Sequence, residues 1–389
     1  MALRDALPAA PAFDAWRLPL WSAEQWRARG GTRGLSEHQL RYLASFGVLA
    51  PTTHNTVPQR FGLLTDQQAL GLHLDRSLVL PESDPKGRQA LVSLGCVVTN
   101  IEIAARVFGY GIELELAPLA AGDVTPLPVG SEPQGERFVT VGKLAFSRTD
   151  DALPHDWLRT LTEHKVVRAE YDASAALPRA LLDAVPRIVR DSAPEAGVVE
   201  AHVLTGALAL RGLGKFQEQA DRFVIENPRF AQELGRWLLP NSDVRTARAM
   251  RGVEFGFDDA FAEQVHSGLL GKRRLLPDQI ATFAKGGKVG LESSSAVIVL
   301  TTDGDGAMHR VAAGRAGHRI SLEMQRAGFA SAYHAALTEV EWVARMFSRT
   351  LLRTARRPMA LLRVGRPKRA SDGQRPPAAR PSLEQLLLP

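Results

Sequence analysis

The chain has 389 residues and a net charge of +6, with 45% apolar and 23% charged residues: enough for two ordinary domains, in a composition that excludes a disordered or fibrous protein. No apolar run approaches the roughly 18 residues of a membrane helix, and Asp5, Asp14 and Arg17 interrupt the N-terminal stretch where a signal peptide needs an apolar core. The lone Cys96 excludes an internal disulfide framework, so a cytoplasmic protein with no membrane partner is expected.

Residues 1–35 read as an N-terminal extension. Beyond it, Leu40–Leu49 reads as a helix that Pro51 stops, because proline lacks an N–H and biases the residue before it away from helical geometry. The next stretch is Ala50-Pro51-Thr52-Thr53-His54-Asn55-Thr56-Val57-Pro58-Gln59-Arg60-Phe61, which leads into a strand over Arg60–Thr65. Its hydroxyls, amide and backbone N–H groups suit the edge of a flat heterocycle. The bland alternative is a polar turn between helix and strand.

Leu94–Tyr110 has helical apolar spacing, with Gly95 near its start, Gly109 fourteen residues later, and an aromatic after it. Ala313–Phe329 repeats the pattern with Gly314, Gly328 and Phe329. Ile101, Ala105 and Phe108 are expected to share one face, as are Ile320, Met324 and Ala327. The first glycine of each pair would let another backbone approach closely, and the second would take the left-handed terminating position. Cys96, inside the first copy, reads as a small buried hydrophobe. Each helix precedes a strand ending in Val-Gly, Phe138–Gly142 or Met359–Gly365, and follows another strand candidate, Arg60–Thr65 or Ala296–Thr301. Two copies of one α+β unit, meeting near Asp150–Thr160, account for this order better than a βαβ succession. The copies are placed at 36–155 and 156–389.

In the second half, His164-Lys165-Val166-Val167-Arg168 opens the repeat, and Arg190–Ala196 stands where the first half has its Thr-Thr-x-Asn loop. A Gly-rich, charged insertion over about 239–289 reads as a lid. Other motifs fail: no histidine pair has zinc-site spacing, Asp303-Gly304-Asp305-Gly306 lacks the glutamate a calcium loop requires, and Gly212-Leu213-Gly214 lacks the third dinucleotide-fingerprint glycine. Between Arg345 and Arg380 lie eleven Lys and Arg residues against Asp372 alone, a concentration that suggests an anionic partner. Nucleic acid is not expected: no aromatic follows Phe347, and Arg345, Arg349, Arg353 and Arg356 recur at the spacing of one solvated helix face.

The Ala50–Phe61 stretch resembles the A-P-S-x-x-N-x-Q-P-W-R-F signature of the nitroreductase family, keeping Ala50, Pro51, Asn55, Thr56, Pro58, Arg60 and Phe61 and departing at Val57 and Gln59. The internal repeat, Asp84-Pro85-x-x-Arg88 and Asn227-Pro228-x-x-x-x-Glu233-Leu234 resemble the Acg-like branch, in which both subunits of the pseudo-symmetric dimer are fused. This resemblance implies a nitroreductase-like α+β fold: two tandem repeats of a mixed, mostly antiparallel sheet flanked by helices, forming an intrachain pseudo-dimer and a monomer in solution. It implies one FMN per chain, reduced by NAD(P)H and reoxidised by a small flat acceptor, a nitroaromatic or quinone, with no side chain required as acid or base. FMN storage behind the lid, and a degenerate chain without flavin, are the alternatives.

The resemblance places Pro51, Thr52, Thr53 and Asn55 at the flavin rim. It places Arg168 at the phosphate, with His164 where arginine is usual and Val166 where a hydroxyl is usual. Arg380, in Arg380-Pro381-Ser382-Leu383, would be a second phosphate cation. The backbone of Ala335 or Ala336 would donate to flavin N5, and His334 would be a candidate proton donor.

Overall fold

The computed structural model describes residues 17–31, 34–120, 122–127, 137–193, 198–243 and 246–389. Residues 1–16 of the N-terminal extension, and 194–196 of the segment matched to the Thr-Thr-x-Asn loop, lie outside the described residues.

The first half contains α1 (Glu37–Val48), β1 (Gln59–Leu64), β2 (Ala69–Asp75), α2 (Arg88–Val107), β3 (Tyr110–Leu116) and β4 (Phe138–Arg148). The second contains α3 (Arg179–Ser192), β5 (Val199–Leu204), α4 (Ala207–Glu226), α5 (Pro228–Trp237), α6 (Asp259–Leu269), α7 (Pro277–Glu292), β6 (Ala296–Thr302), α8 (Ala307–Arg326), β7 (Ala330–Tyr333), α9 (Ala336–Glu339) and β8 (Arg357–Gly365). One sheet has the order β1-β2-β4-β3 and the other β5-β6-β8-β7, with every neighbouring pair antiparallel. Both sheets therefore thread their four strands in the same way, with a twenty-residue helix between the second and third. The fold is α+β and internally repeated. In the first half β1 turns into β2 through three residues of 3-10 helix, Thr65–Gln67. In the second half, α4 to α7 occupy the equivalent place between β5 and β6.

Local signals explain these elements. Ser36 and Gln39 form a capping box on α1. The Asp84 carboxylate accepts from the N–H groups of Gln89 and Ala90 at 3.0 and 2.9 Å, satisfying the free donors at the start of α2. Every residue of β6 is buried, as its continuous apolar run requires of a central strand.

α2 and α8 cross at the centre of the molecule, and the contact is reciprocal. A Cβ added to Gly95 would lie 2.8 Å from Gly314 Cα, and one added to Gly314 would lie 3.0 Å from Gly95 Cα. Equivalent residues of two copies touching each other is the mark of a two-fold interface, here within one chain. Thr99 Oγ1 donates to the Arg315 carbonyl at 3.2 Å, Arg315 pairs with Glu102 at 3.0 Å, and His318 Nε2 meets Asn100 Oδ1 at 2.7 Å. The chain's end closes the seam: Phe61 N donates to the Leu386 carbonyl and Leu388 N to the Phe61 carbonyl, both at 2.8 Å.

Several sequence expectations need correction. Both repeated helices start earlier than the repeat does, so Gly95 and Gly314 lie inside them and not at their starts. Gly109 and Gly328 do take positive φ, +75° and +81°. Ala327 is exposed, unlike Ile320 and Met324, because the helix has already ended there. α2 is long and apolar enough to cross a membrane, contrary to the expectation that no such run exists, but 83% of its most apolar window is buried against the rest of the fold. The C-terminal arginines do not share one helix face. The helix over Glu341–Phe347 gives way to a wide turn, and Arg353 takes φ +56°. Arg363 and Arg380 are buried, and Arg357 pairs with Glu341 at 2.9 Å, so much of that charge is spent inside the molecule.

Candidate active site

A cavity of about 240 Å³ opens where the two halves meet the helical insertion. Its floor is the Pro51–His54 loop and the α2 residues Val92, Ser93 and Cys96. Tyr333–Ala336 at the end of β7 also line it, with Tyr333 beside Cys96, and α4, α5 and α7 contribute residues together with Phe255 and Phe257.

The loop is strained. His54, Asn55 and Val57 have φ of +49°, +56° and +51°, the left-handed region that a β-branched valine strongly disfavours. Such conformations survive only where the surroundings over-determine them, and here they do. Thr52 Oγ1 accepts from Val57 N at 3.1 Å, and Thr53 N donates to Ser93 Oγ at 3.2 Å. Arg248 donates to the carbonyls of Thr56 and Val57, both at 2.7 Å. Asn55 Nδ2 donates to the Ala249 carbonyl at 3.0 Å while Ala249 N, itself at φ +71°, returns a 3.1 Å bond to the Asn55 carbonyl. Arg380 Nη1 donates to Asn55 Oδ1 at 2.7 Å.

These contacts sort the expected residues. Pro51, Thr52, Thr53, Arg168, Ala335 and Ala336 line the cavity together; Asn55, His164 and Arg380 are not among its lining residues. Asn55 and Arg380 meet, but behind the loop, where Asn55 latches the 247–249 segment and Arg380 also reaches the carbonyls of Leu49 and Ala50. His164 bonds Ser321 Oγ at 2.8 Å and packs edge-on against His318, with burial holding its pKa down to about 3. Arg168 pairs with Glu254 at 2.9 Å and lies over the Phe255 ring. His334 lines the cavity, but burial, with Arg363 and Arg168 nearby, pushes its pKa well below the ordinary histidine value. That shift disfavours the imidazolium form that a proton donor of ordinary histidine pKa would supply.

The cavity has two unlike ends. Around the loop, Arg168 and Arg363 set a positive potential. His54 is held at about 4, by burial first and Arg168 second, and its Nδ1 finds no partner among the described residues. Arg363, only 1% exposed, spends its terminal nitrogens on the carbonyls of Gly290 and Ala169 at 3.1 and 2.8 Å, and its Nε is unpaired. Beneath the helical roof the lining is acidic, with Asp221, Glu233 and Glu339. Neither end was legible from spacing. Arg363 stands out in hindsight as the one charge in the apolar run Met359–Gly365, and Glu233 lies in the Asn-Pro motif, whereas Asp221 and Glu339 resemble any helical acid.

An FMN ring meets suitable groups here. The amide N–H groups of Ala335 and Ala336, at the start of α9, donate no hydrogen bond among the described residues, and both residues line the cavity together with Thr52, Thr53 and His54. Aromatic and aliphatic side chains from the insertion supply the stacking surface. The phosphate would fall to Arg168, the cation of the expected pair that lines the cavity.

No protein-family model matches the chain. It is 28% identical over 142 residues to a Mycobacterium tuberculosis protein carrying the name NAD(P)H nitroreductase acg, in each of two strains. That match covers 33% of this chain and 42% of the relative's length. Among solved structures, a protein of Anabaena variabilis named as a nitroreductase aligns over 92% of both chains at 10% identity and a TM-score of 0.48. The FMN-dependent nitroreductase NfnB of Mycobacterium smegmatis, in complex with NADPH, aligns over 59% of this chain and 95% of its own, at 16% identity and a TM-score of 0.39. Neither score identifies a fold by itself. In sequence, the chain is similar to the nitroreductases through their Acg-like branch, as its loop and its repeated helices imply.

Proposed function

We propose that the cavity binds FMN and that the chain is an oxidoreductase of nitroreductase type, carrying electrons from NAD(P)H to a small flat acceptor such as a nitroaromatic or quinone. The observation that carries this reading is one cavity lined both by a strained, over-tied polar loop and by two residues whose amide N–H groups donate no hydrogen bond among the described residues. FMN, when bound, supplies a two-electron hydride store, so the protein's own tasks are binding, orientation and electrostatics.

Pro51, Thr52 and Thr53 form the floor for the ring. Ala335 and Ala336, having no side chain beyond Cβ, let their main chain approach a planar ring and present its N–H groups. Arg168 and Arg363 hold the positive potential that favours a reduced, anionic ring over the oxidised one. Asn55, His164 and Arg380 act at one remove: Asn55 and Arg380 fix the loop, and His164 fixes the strand beside it through Ser321 and Ser331. The chain divides near residue 155 into its two repeats, the insertion roofs the site, and pairing of the repeats within one chain leaves the molecule a monomer.

One observation favours a second reading, in which the chain holds flavin poorly or without turnover: Arg168 is paired to Glu254, and His164 and Arg380 point elsewhere. Anaerobic titration separates the two. Under the first reading NADPH bleaches the bound flavin and a nitroaromatic restores its colour. A flavin that neither donor nor acceptor affects supports storage. Arg168→Ala is expected to lower FMN retention about tenfold, the loss of one charge-assisted bond; unchanged retention would remove Arg168 from the site.

A further inference from the structure

The acidic end of the cavity has no task in flavin binding. Asp221 on α4, Glu233 on α5 and Glu339 at the end of α9 converge on it from three elements. Glu233 is satisfied, accepting from Glu82 N, Ser83 N and Ser83 Oγ at 2.7, 2.9 and 2.5 Å. Asp221 has only the Gln217 amide, at 2.7 Å. Glu339 is influenced by Glu233, Asp84 and Asp221, all of its own sign, and its Oε1 is unpartnered among the described residues. The cations nearest in effect, Arg88 and Arg310, act on Asp84 behind the wall and also pair with Asp305 at 3.2 and 3.0 Å. Arg168 and Arg363 line the same cavity nearer the loop, but among the described residues neither pairs with Asp221 or Glu339: Arg168 is held by Glu254 and Arg363 by backbone carbonyls.

A second feature points to a ligand. Gln217 is 3% exposed and lines the cavity, and once its amide nitrogen has gone to Asp221 its Oε1 has no partner. A buried acceptor without a donor costs about 1–3 kcal/mol. Here, unpartnered acceptors stand at one end of an open cavity, together with carboxylates that lack counter-ions. Gly287 makes room for the Asp221 carboxylate, which a Cβ there would strike. Among the described residues no group of three His, Cys, Asp or Glu could hold a metal ion, so an organic donor is the better occupant.

We propose that Asp221, Glu339 and the Gln217 carboxamide oxygen bind a protonated nitrogen carried by a flat aromatic molecule, an arylalkylamine or amidine whose ring lies against Phe230 and Phe257. With a nitro or quinone group on the same ring to take up the flavin's electrons, this names the class of acceptor for the proposed flavin site; it rests on that reading for electron transfer, but not for binding. Each carboxylate receives a charge-assisted hydrogen bond, and the ligand supplies the missing positive charge. Burial raises the pKa of Asp221 to about 7, so the cation binds better as pH rises from 6 to 8, taking up its site as the carboxylate loses its proton.

Three probes of one shape test this on the whole chain: 4-nitrobenzylamine, 4-nitrobenzyl alcohol and 4-nitrobenzoate, titrated calorimetrically at pH 6 and 8, with and without FMN. The amine is expected to bind at least roughly tenfold more tightly than either other probe at pH 8, with a smaller margin at pH 6. In Asp221→Asn the margin is expected to shrink. Equal binding of amine and alcohol by the unaltered protein overturns the proposal without any variant needing to fold, as does an amine preference that survives both Asp221→Asn and Glu339→Gln. If FMN is not taken up but the amine preference holds, the flavin reading fails alone; if FMN binds and the preference is missing, only the acceptor class falls.

Discussion

Substituting Gly314 by alanine tests the helix crossing on which the arrangement of the two halves depends. The added Cβ would lie 1.9 Å from the Val92 carbonyl oxygen, 2.8 Å from its carbon and 3.0 Å from Gly95 Cα. Carbon atoms rest at about 3.5–4.0 Å, so α2 and α8 must part by roughly 1 Å. Both obstructing groups are backbone, and no side-chain rotation relieves them. Overpacking of this kind costs roughly 1–3 kcal/mol, and two rigid main chains in contact put Gly314→Ala at the upper end. Gly212 in α4 is the control. Its Cβ would meet only Leu351 Cδ1, at an ordinary 3.7 Å, so Gly212→Ala should gain about 0.5–1 kcal/mol from helix propensity. Urea unfolding followed by far-ultraviolet circular dichroism should give a midpoint below the unaltered protein for the first variant and above it for the second. A Gly314→Ala protein at least as resistant to urea as its parent would refute the crossing.

Two further outcomes follow from buried polar groups. Asn55→Ala removes the bond to Ala249 and leaves the Arg380 guanidinium without its side-chain acceptor, a loss of about 2–3 kcal/mol that should appear in urea unfolding along with weaker FMN retention; full stability would mean the loop is not held by this latch. Asp221 titrates near 3.8 when exposed and about 7 in the fold, so between those values the folded chain keeps a proton that the unfolded chain has lost, and stability falls as pH rises. Asp221→Asn escapes that loss: it should be more stable than the parent at pH 8, by up to roughly 4 kcal/mol, with no gain at pH 4. A variant whose advantage is the same at both pH values would contradict a raised Asp221 pKa.

The halves of the molecule were legible where chain-local chemistry decides structure. Pro51 ends a helix wherever it stands, and the Gly95/Gly314 match marked two helices that turn out to touch each other at those residues. The strands β2, β3, β5 and β7 went unread. β7 has only four residues, β3 alternates with charged Glu113 and Glu115, β5 carries Glu200 and His202, and β2 carries Gly71 and His73, so none shows an unbroken apolar run. Of the expected residues, Thr52 and Thr53 from the loop, and Ala335 and Ala336 from the distance after the repeated helix, line one cavity. Their tasks were harder to see than their places. Asn55 and Arg380 lie beside each other, yet they serve the loop from behind, because their partners sit at residues 247–249 and 49–50, too remote in sequence to anticipate. His334 read as a proton donor because the sequence does not show its burial, nor the Arg363 and Arg168 charges that act on it. The acidic end depends on three helices meeting, and no local pattern records that.

Flavin uptake tests the central claim most directly. When FMN is titrated with the purified chain, removed from excess by gel filtration and scanned for absorbance, the protein should emerge yellow with one FMN per chain. A colourless protein after saturation with FMN would contradict the account at its foundation.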